Sequence, residues 1–140
     1  MTKITYDANS LKIMTLFESI TKSRVKDCFI DELQNKMVFV VQPGQLWKAL
    51  GAKGDNVKKL ESKLNRKIKI VEFNSDKIKF IKNMIFPLKA NDIKEEDDVI
   101  IINSDDTKIK GLLIGRNAAN LRNLETNVQR FFKIKEIKVV

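Results

Sequence analysis

Histidine is absent from this 140-residue chain. That excludes imidazole acid/base catalysis, histidine-based nucleophilic triads and histidine metal ligation. Cysteine occurs once, at Cys28, so no intramolecular disulfide can form. Cys28 lies in an apolar, strand-like run and reads as a buried structural thiol rather than a nucleophile. No apolar run approaches the roughly 18–20 residues that a membrane span needs. The N-terminus, Met1-Thr2-Lys3-Ile4-Thr5-Tyr6, lacks the apolar stretch of a signal peptide. A soluble, cytoplasmic protein without a membrane partner is expected.

What the chain does hold is positive charge. Basic residues outnumber acidic ones by 27 to 18, a net charge of +9. Such an excess draws a protein toward polyanions, most plausibly nucleic acid. Only five of the basic residues are arginine, so a lysine-rich solvated surface is the competing reading. The hydrophobic content of 43% is that of a folded protein.

A second positive feature is a repeat. Gly51-Ala52-Lys53-Gly54 sits between two short apolar helical patterns, and so does Gly115-Arg116-Asn117-Ala118, 64 residues later. The flanks match position by position: Leu50 with Ile114, Asn56 with Asn120, Val57 with Leu121, Leu60 with Leu124, Leu64 with Val128. The period predicts two small modules, residues 1–73 and 74–140, with the boundary near Phe73-Asn74.

Each module reads helix–strand–strand–helix–loop–helix–strand. In the first, Asp7 or Ser10 can cap a helix whose apolar face is Ile13, Leu16, Phe17 and Ile20. Val25–Asp31 and Met37–Val41 read as strands around a turn with Asn35 near its tip. Pro43 and Gly44 are expected to open the helix that ends at Gly51. Val57, Leu60 and Leu64 line the inner face of the next helix, and Lys67–Ile70 alternates as a strand. In the second module, Ser75 and Asp76 begin a helix that Pro87 stops. Leu88–Ile93 reads as a weak strand, Lys94–Asp98 as a charged loop and Val99–Asn103 as a strong strand. Asp105 or Asp106 caps the short helix before Gly115. A last strand is expected over roughly Phe132–Val140, with one of Phe131 and Phe132 facing inward.

The loops can grip a phosphodiester. Glycine lets a backbone approach without a Cβ in the way. The start of the following helix offers free N–H groups and the positive end of a dipole. Lys53 and Arg116 add a full charge there, and Lys58, Lys59 and Arg122 extend the positive track along the helices. Bases would rest in a shallow, apolar-floored groove, which suits single strands better than an A-form duplex. Few aromatics lie near the loops, and Trp47 is one turn upstream of Gly51, so aromatic stacking platforms are not expected. Lys63, Arg66, Lys67 and Lys69 either extend this surface or only solubilise it.

This arrangement resembles the KH domain. The segments that carry the resemblance are Ala49–Val57 and Leu113–Leu121, with Gln42-Pro43-Gly44 ahead of the first. The order of elements resembles the prokaryotic (type II) KH topology, and the tandem is similar to the KH pair of the NusA family, especially its short archaeal members. The resemblance implies an α+β fold of two tandem type II KH domains, each a three-stranded sheet with helices on one face. It implies an RNA-binding transcription elongation or termination factor. Single-stranded RNA is the implied ligand, held by Gly51, Ala52, Lys53, Gly54 and Lys58, and by Gly115, Arg116, Asn117, Ala118 and Arg122. RNA polymerase is a further implied partner.

The second loop departs from the pattern at Ala118. Alanine fits there if the angles are helical, and is strained if φ is positive. The second clamp is therefore expected to differ or to bind more weakly, with Asn117 offsetting this through its tolerance of left-handed angles.

Rival readings are a KH-type ribosome-assembly or rRNA-binding factor, a helix-turn-helix protein that binds duplex DNA, and an enzyme or RNase accessory module. Flanking strands and the glycines fit a helix-turn-helix less well. Glu95-Glu96-Asp97-Asp98 lacks the ligand spacing of a calcium loop and reads as solvated charge. No residue set forms a nucleophile–base pair or metal constellation, so a monomeric binding protein, with neither enzymatic activity nor a cofactor, is expected.

Overall fold

A computed structural model describes residues 8–140. They form two compact units of α+β structure that divide between Asn74 and Ser75.

The first unit runs α1 (Ala8–Thr21), β1 (Val25–Asp31), β2 (Lys36–Val41), α2 (Leu46–Leu50), α3 (Asp55–Leu64) and β3 (Lys67–Glu72). β1 and β2 form an antiparallel hairpin, and β3 lies parallel to β2 on its other side. A parallel pair cannot be joined by a tight turn; it needs a crossover, and α2, the loop and α3 supply it. The core lies on the sheet face that carries Cys28, Met37, Phe39, Val41 and Ile68. Met14 and Phe17 cover it from α1, Ala49 from α2 and Leu60 from α3. Phe17 stacks on Phe39 with ring centroids 4.3 Å apart.

Two expectations change here. Ser10 lies inside α1 and does not cap it, while Asp7 falls outside the described residues. Pro43 and Gly44 do not open α2. They form the middle of a reverse turn closed by the Gln45 N–H on the Gln42 carbonyl at 3.1 Å, with Gly44 at φ 82°. Proline followed by a positive-φ glycine is the chemistry of a type II turn, and it competes with helix initiation.

The second unit repeats the order: α4 (Lys77–Ile85), β4 (Asp92–Glu96), β5 (Val99–Asn103), α5 (Thr107–Ile114), α6 (Ala119–Gln129) and β6 (Glu136–Val139). Its sheet order is β4-β5-β6, again with one antiparallel and one parallel pair. Asp76 caps α4 by accepting from the N–H groups of Ile78 and Lys79, and Asp106 caps α5 in the same way through Lys108 and Ile109.

The charged segment is not a loop. Lys94, Glu95 and Glu96 belong to β4, and only Asp97 and Asp98 turn, both at positive φ. That is the twist a two-residue hairpin requires, written here in aspartates rather than in the usual Asn-Gly. Glu95 is held by Lys77 at 2.7 Å. The last strand is shorter than expected, because α6 is followed by a turn through Phe131 and Phe132. Outside a strand the two-residue alternation does not apply, and both rings are buried, with centroids 5.2 and 5.7 Å from that of Phe80.

Lys69 sits between Ile68 and Ile70 on β3, half-buried. Burial first, and then the charge of Lys36, push its pKa below the ordinary lysine value, against an opposing pull from Asp31. The folded chain thus holds this proton less tightly than the unfolded chain. The resulting penalty is full at neutral pH and is relieved as pH rises through the folded pKa toward the unfolded one.

Two outcomes are expected from this packing. Phe39→Ala should lower the unfolding free energy by about 3–5 kcal/mol in denaturant titration, since it leaves a cavity opposite Phe17. Lys69→Met should be more stable than the parent at pH 7, and its advantage in melting temperature should shrink as pH climbs into the lysine range.

Candidate nucleic-acid interface

The two loops have the same backbone. Helix α2 ends at Gly51 (φ 76°, ψ 173°), whose N–H donates to the Trp47 carbonyl at 3.1 Å. Helix α5 ends at Gly115 (φ 73°, ψ 177°), whose N–H donates to the Gly111 carbonyl at 2.8 Å. A single 3-10 turn follows each glycine. Its second residue is left-handed: Lys53 at φ 54°, ψ 28° and Asn117 at φ 55°, ψ 33°. So is its third: Gly54 at φ 73°, ψ 21° and Ala118 at φ 60°, ψ 22°.

The two glycine positions of the motif therefore differ in kind. Gly51 and Gly115 occupy a region that is essentially glycine-only. A Cβ on Gly51 would stand 2.9 Å from the Asn56 Cγ, and one on Gly115 would stand 2.6 Å from the Asn120 Cγ. Those asparagines cannot simply move away. Asn56 Nδ2 donates to the Lys48 carbonyl at 3.2 Å, and Asn120 Nδ2 to the Leu112 carbonyl at 2.8 Å, each reaching eight residues back across the loop. A Cβ on Gly54, by contrast, would meet nothing within 4 Å. Alanine at the equivalent position 118 thus costs backbone strain of about 1–2 kcal/mol but no collision. The positive φ makes Ala118 strained, yet the loop shape is kept.

A buried-side anchor holds each second helix to its sheet. Glu61 on α3 accepts from the Ile68 N–H of β3 at 3.1 Å. Glu125 on α6 accepts from the Ile137 N–H of β6 at 2.8 Å. Composition and local pattern mark neither these carboxylates nor the asparagines as parts of the loop architecture. The Asn56/Asn120 match was a readable signal, and Glu61 and Glu125 share the same 64-residue offset.

The open side of the loops is accessible. Ala52, Lys53, Arg116 and Asn117 are exposed, and Gly51, Gly54, Gly115 and Ala118 are half-exposed. Helices α3 and α6 start without a side-chain cap, unlike α4 and α5 with their capping aspartates. The N–H of Asp55 is taken by the Ala52 carbonyl and that of Ala119 by the Arg116 carbonyl, so the helix dipole and the charges of Lys53 and Arg116 are the main positive features there, with Asp55 opposing them at the first loop.

The remaining predicted residues divide. Lys58 is exposed on α3 and joins Lys59 and Lys63 along an open groove of about 1020 Å³ floored by Leu16 and Ile20 of α1. Arg122 points into an ion pair with Glu125 at 2.7 Å, so its charge is partly spent. Arg66 and Lys67 line a separate polar pocket with Asn35 and Asn65, past the far end of α3. Lys69 is set apart in the sheet by its burial. Among the described residues no cluster of three potential metal-ligating side chains occurs, and no helix is long and apolar enough to cross a membrane.

A family model described as KH domain matches residues 13–83. The chain is 30% identical over 141 residues to the probable transcription termination protein NusA of Methanococcus vannielii, covering 99% of this chain and 80% of that one. It is 28% identical over 143 residues to the protein of the same name from Methanocaldococcus jannaschii, covering 100% of this chain and 77% of the relative. In three dimensions it is similar to the crystal structure of APE1850, with a TM-score of 0.77 at 24% identity, over 96% of this chain and 100% of that one.

The loop geometry orders a set of substitutions. Gly54→Ala should cost about 1–2 kcal/mol from backbone angles alone. Gly51→Ala and Gly115→Ala should each cost more, about 3 kcal/mol, because strain and the asparagine contact add. Ala118→Gly should gain about 0.5–1 kcal/mol as the left-handed strain is removed and unfolded-state entropy partly offsets it. Thermal or denaturant unfolding reads all four.

Proposed function

The chain belongs to the KH-domain family, among the archaeal NusA-like proteins, and from that premise we propose that its two units are tandem type II KH domains that bind single-stranded RNA through the loops Gly51–Gly54 and Gly115–Ala118. One observation carries this reading. Two loops of different sequence hold the same rare backbone, and alanine adopts left-handed angles at one of them to keep it. A mere helix end would not need that conformation twice.

In this reading a phosphate sits over each loop. The half-exposed glycines let it approach the backbone, the helix start supplies the positive end of a dipole, and Lys53 or Arg116 supplies charge. Lys58 continues the positive surface beyond the first loop. Arg122 contributes to the second loop mainly by fixing Glu125, since its guanidinium is already paired. Bases splay away from the clamp and are read by their edges.

The work done is binding rather than catalysis. The naming of the relatives as termination proteins supports a role in transcription, with RNA polymerase as a second partner. It favours that role over ribosome assembly.

Anisotropy of a labelled, unstructured single-stranded RNA against salt tests the reading. Gly54→Asp is the clean first-loop variant, because its Cβ meets nothing and aspartate tolerates left-handed angles; Gly51→Asp would also disturb Asn56. Gly54→Asp should weaken binding while lowering the unfolding free energy by no more than the about 1–2 kcal/mol expected of Gly54→Ala. Lys53→Ala and Arg116→Ala should each reduce the slope of log affinity against log salt by about 0.7, one single-strand phosphate contact apiece. Affinity and slope that stay at parental values in Gly54→Asp and in both alanine variants would remove the loops from the interface. Ready displacement of the RNA by duplex DNA would point instead to a duplex-reading protein.

A further inference from the structure

Trp47 is the only tryptophan in the chain, and it is 82% exposed. Tryptophan is highly buried on average. No other large apolar side chain among the described residues is as open; Phe86 follows at 64%. The residue lies on α2 opposite Ala49, which is fully buried, so the indole is turned away from the core by the register of the helix itself.

Its backbone is part of the first loop. The Trp47 carbonyl accepts the Gly51 N–H at 3.1 Å, and the Lys48 carbonyl beside it accepts the Asn56 amide at 3.2 Å. The ring is thus carried by the same hydrogen-bonded turn that shapes the clamp, about one helical pitch (~5.4 Å) from it. In the second unit the residue in this role is Gly111, whose carbonyl accepts the Gly115 N–H at 2.8 Å and which has no side chain. Side chains on a helix lean toward its N-terminus. The indole therefore leans away from the loop, toward the start of α2.

We infer that Trp47 is a stacking platform for a nucleobase adjacent to the first clamp, so that the first loop binds RNA by backbone contact plus stacking and the second by backbone contact alone. This rests on the RNA-binding reading of the loops. It reverses the expectation from sequence that aromatic stacking plays no part; what reverses it is the exposure of a ring that would ordinarily be buried. A flat, rigid ring stacks on any base, so the contribution is tolerant of sequence and does not depend on salt.

The full chain with a short, unstructured single-stranded RNA of mixed sequence tests it, read by anisotropy of the labelled RNA and by intrinsic tryptophan emission. Because Trp47 is alone, every change in that emission comes from this residue. Saturating RNA should alter the emission. Trp47→Ala should weaken binding about tenfold, at an unchanged salt slope and unchanged unfolding. Trp47→Phe should recover most of the affinity and Trp47→Leu little of it. Parental affinity in Trp47→Ala, with emission indifferent to RNA, would overturn the inference while leaving RNA binding by the loops intact. Equal rescue by leucine and phenylalanine would also overturn it, since that indicates an apolar contact rather than stacking. Loss of self-association in Trp47→Ala at parental RNA affinity would assign the ring to a protein contact instead. No binding by the parental chain would remove the RNA reading of the loops and this inference with it.

Discussion

An asparagine amide reaching back across a loop to a helix-end carbonyl sets the shape of this protein's distinctive surface. Asn56 does this to Lys48, and Asn120 to Leu112. The bond satisfies one of the carbonyls that a helix end leaves without an intrahelical partner. It also brings the asparagine side chain so close to the preceding loop that only glycine fits at 51 and 115. The first glycine of each motif is therefore a consequence of packing as much as of backbone freedom. The second is not. A Cβ at position 54 would face open space, so the constraint there is left-handed φ alone, and the alanine at 118 meets that same constraint at modest cost.

The loop is in turn fixed to the sheet. Strands β2 and β3, like β5 and β6, are parallel, so the chain must cross over between them, and the loop lies within that crossover. Glu61 and Glu125 each tie the second helix of the crossover to the N–H of the second residue of the returning strand. Apolar contacts from Ala49 and Leu60 seat the first crossover on Phe39 and its neighbours. The crossover is thereby held on the sheet at both of its helices, with one exposed turn between them.

Charge is distributed unevenly around this shared scaffold. Lys53 and Arg116 stand exposed on their loops, whereas Arg122 is engaged by Glu125 and Lys69 is half-buried in the sheet. The two loops also differ in their surroundings. The first has an exposed indole and a lysine-edged groove nearby, and the second has Gly111 where the indole would be. Equal backbones thus carry unequal chemistry, and the difference lies in side chains around the motif rather than in the strained Ala118.

The sequence by itself determined the element order of both units, the inward placing of Phe17 and Leu60, the start of α4 at Asp76, the narrowing of the α5 cap to Asp105 or Asp106, and the location of both loops. These follow from local rules: helical and strand periodicity, capping chemistry and a repeat visible at a fixed offset. It misplaced features whose reason is not local. The Pro43-Gly44 turn, the Asp97-Asp98 hairpin and the burial of both Phe131 and Phe132 depend on which strands pair and where chains must reverse. Only the tertiary structure decided that Ala118 takes left-handed angles, that Asn56 and Asn120 compel the first glycines, and that the indole of Trp47 stands in solvent. Each of these is a relation between residues on different elements, and a linear pattern records the residues but not the distance between them.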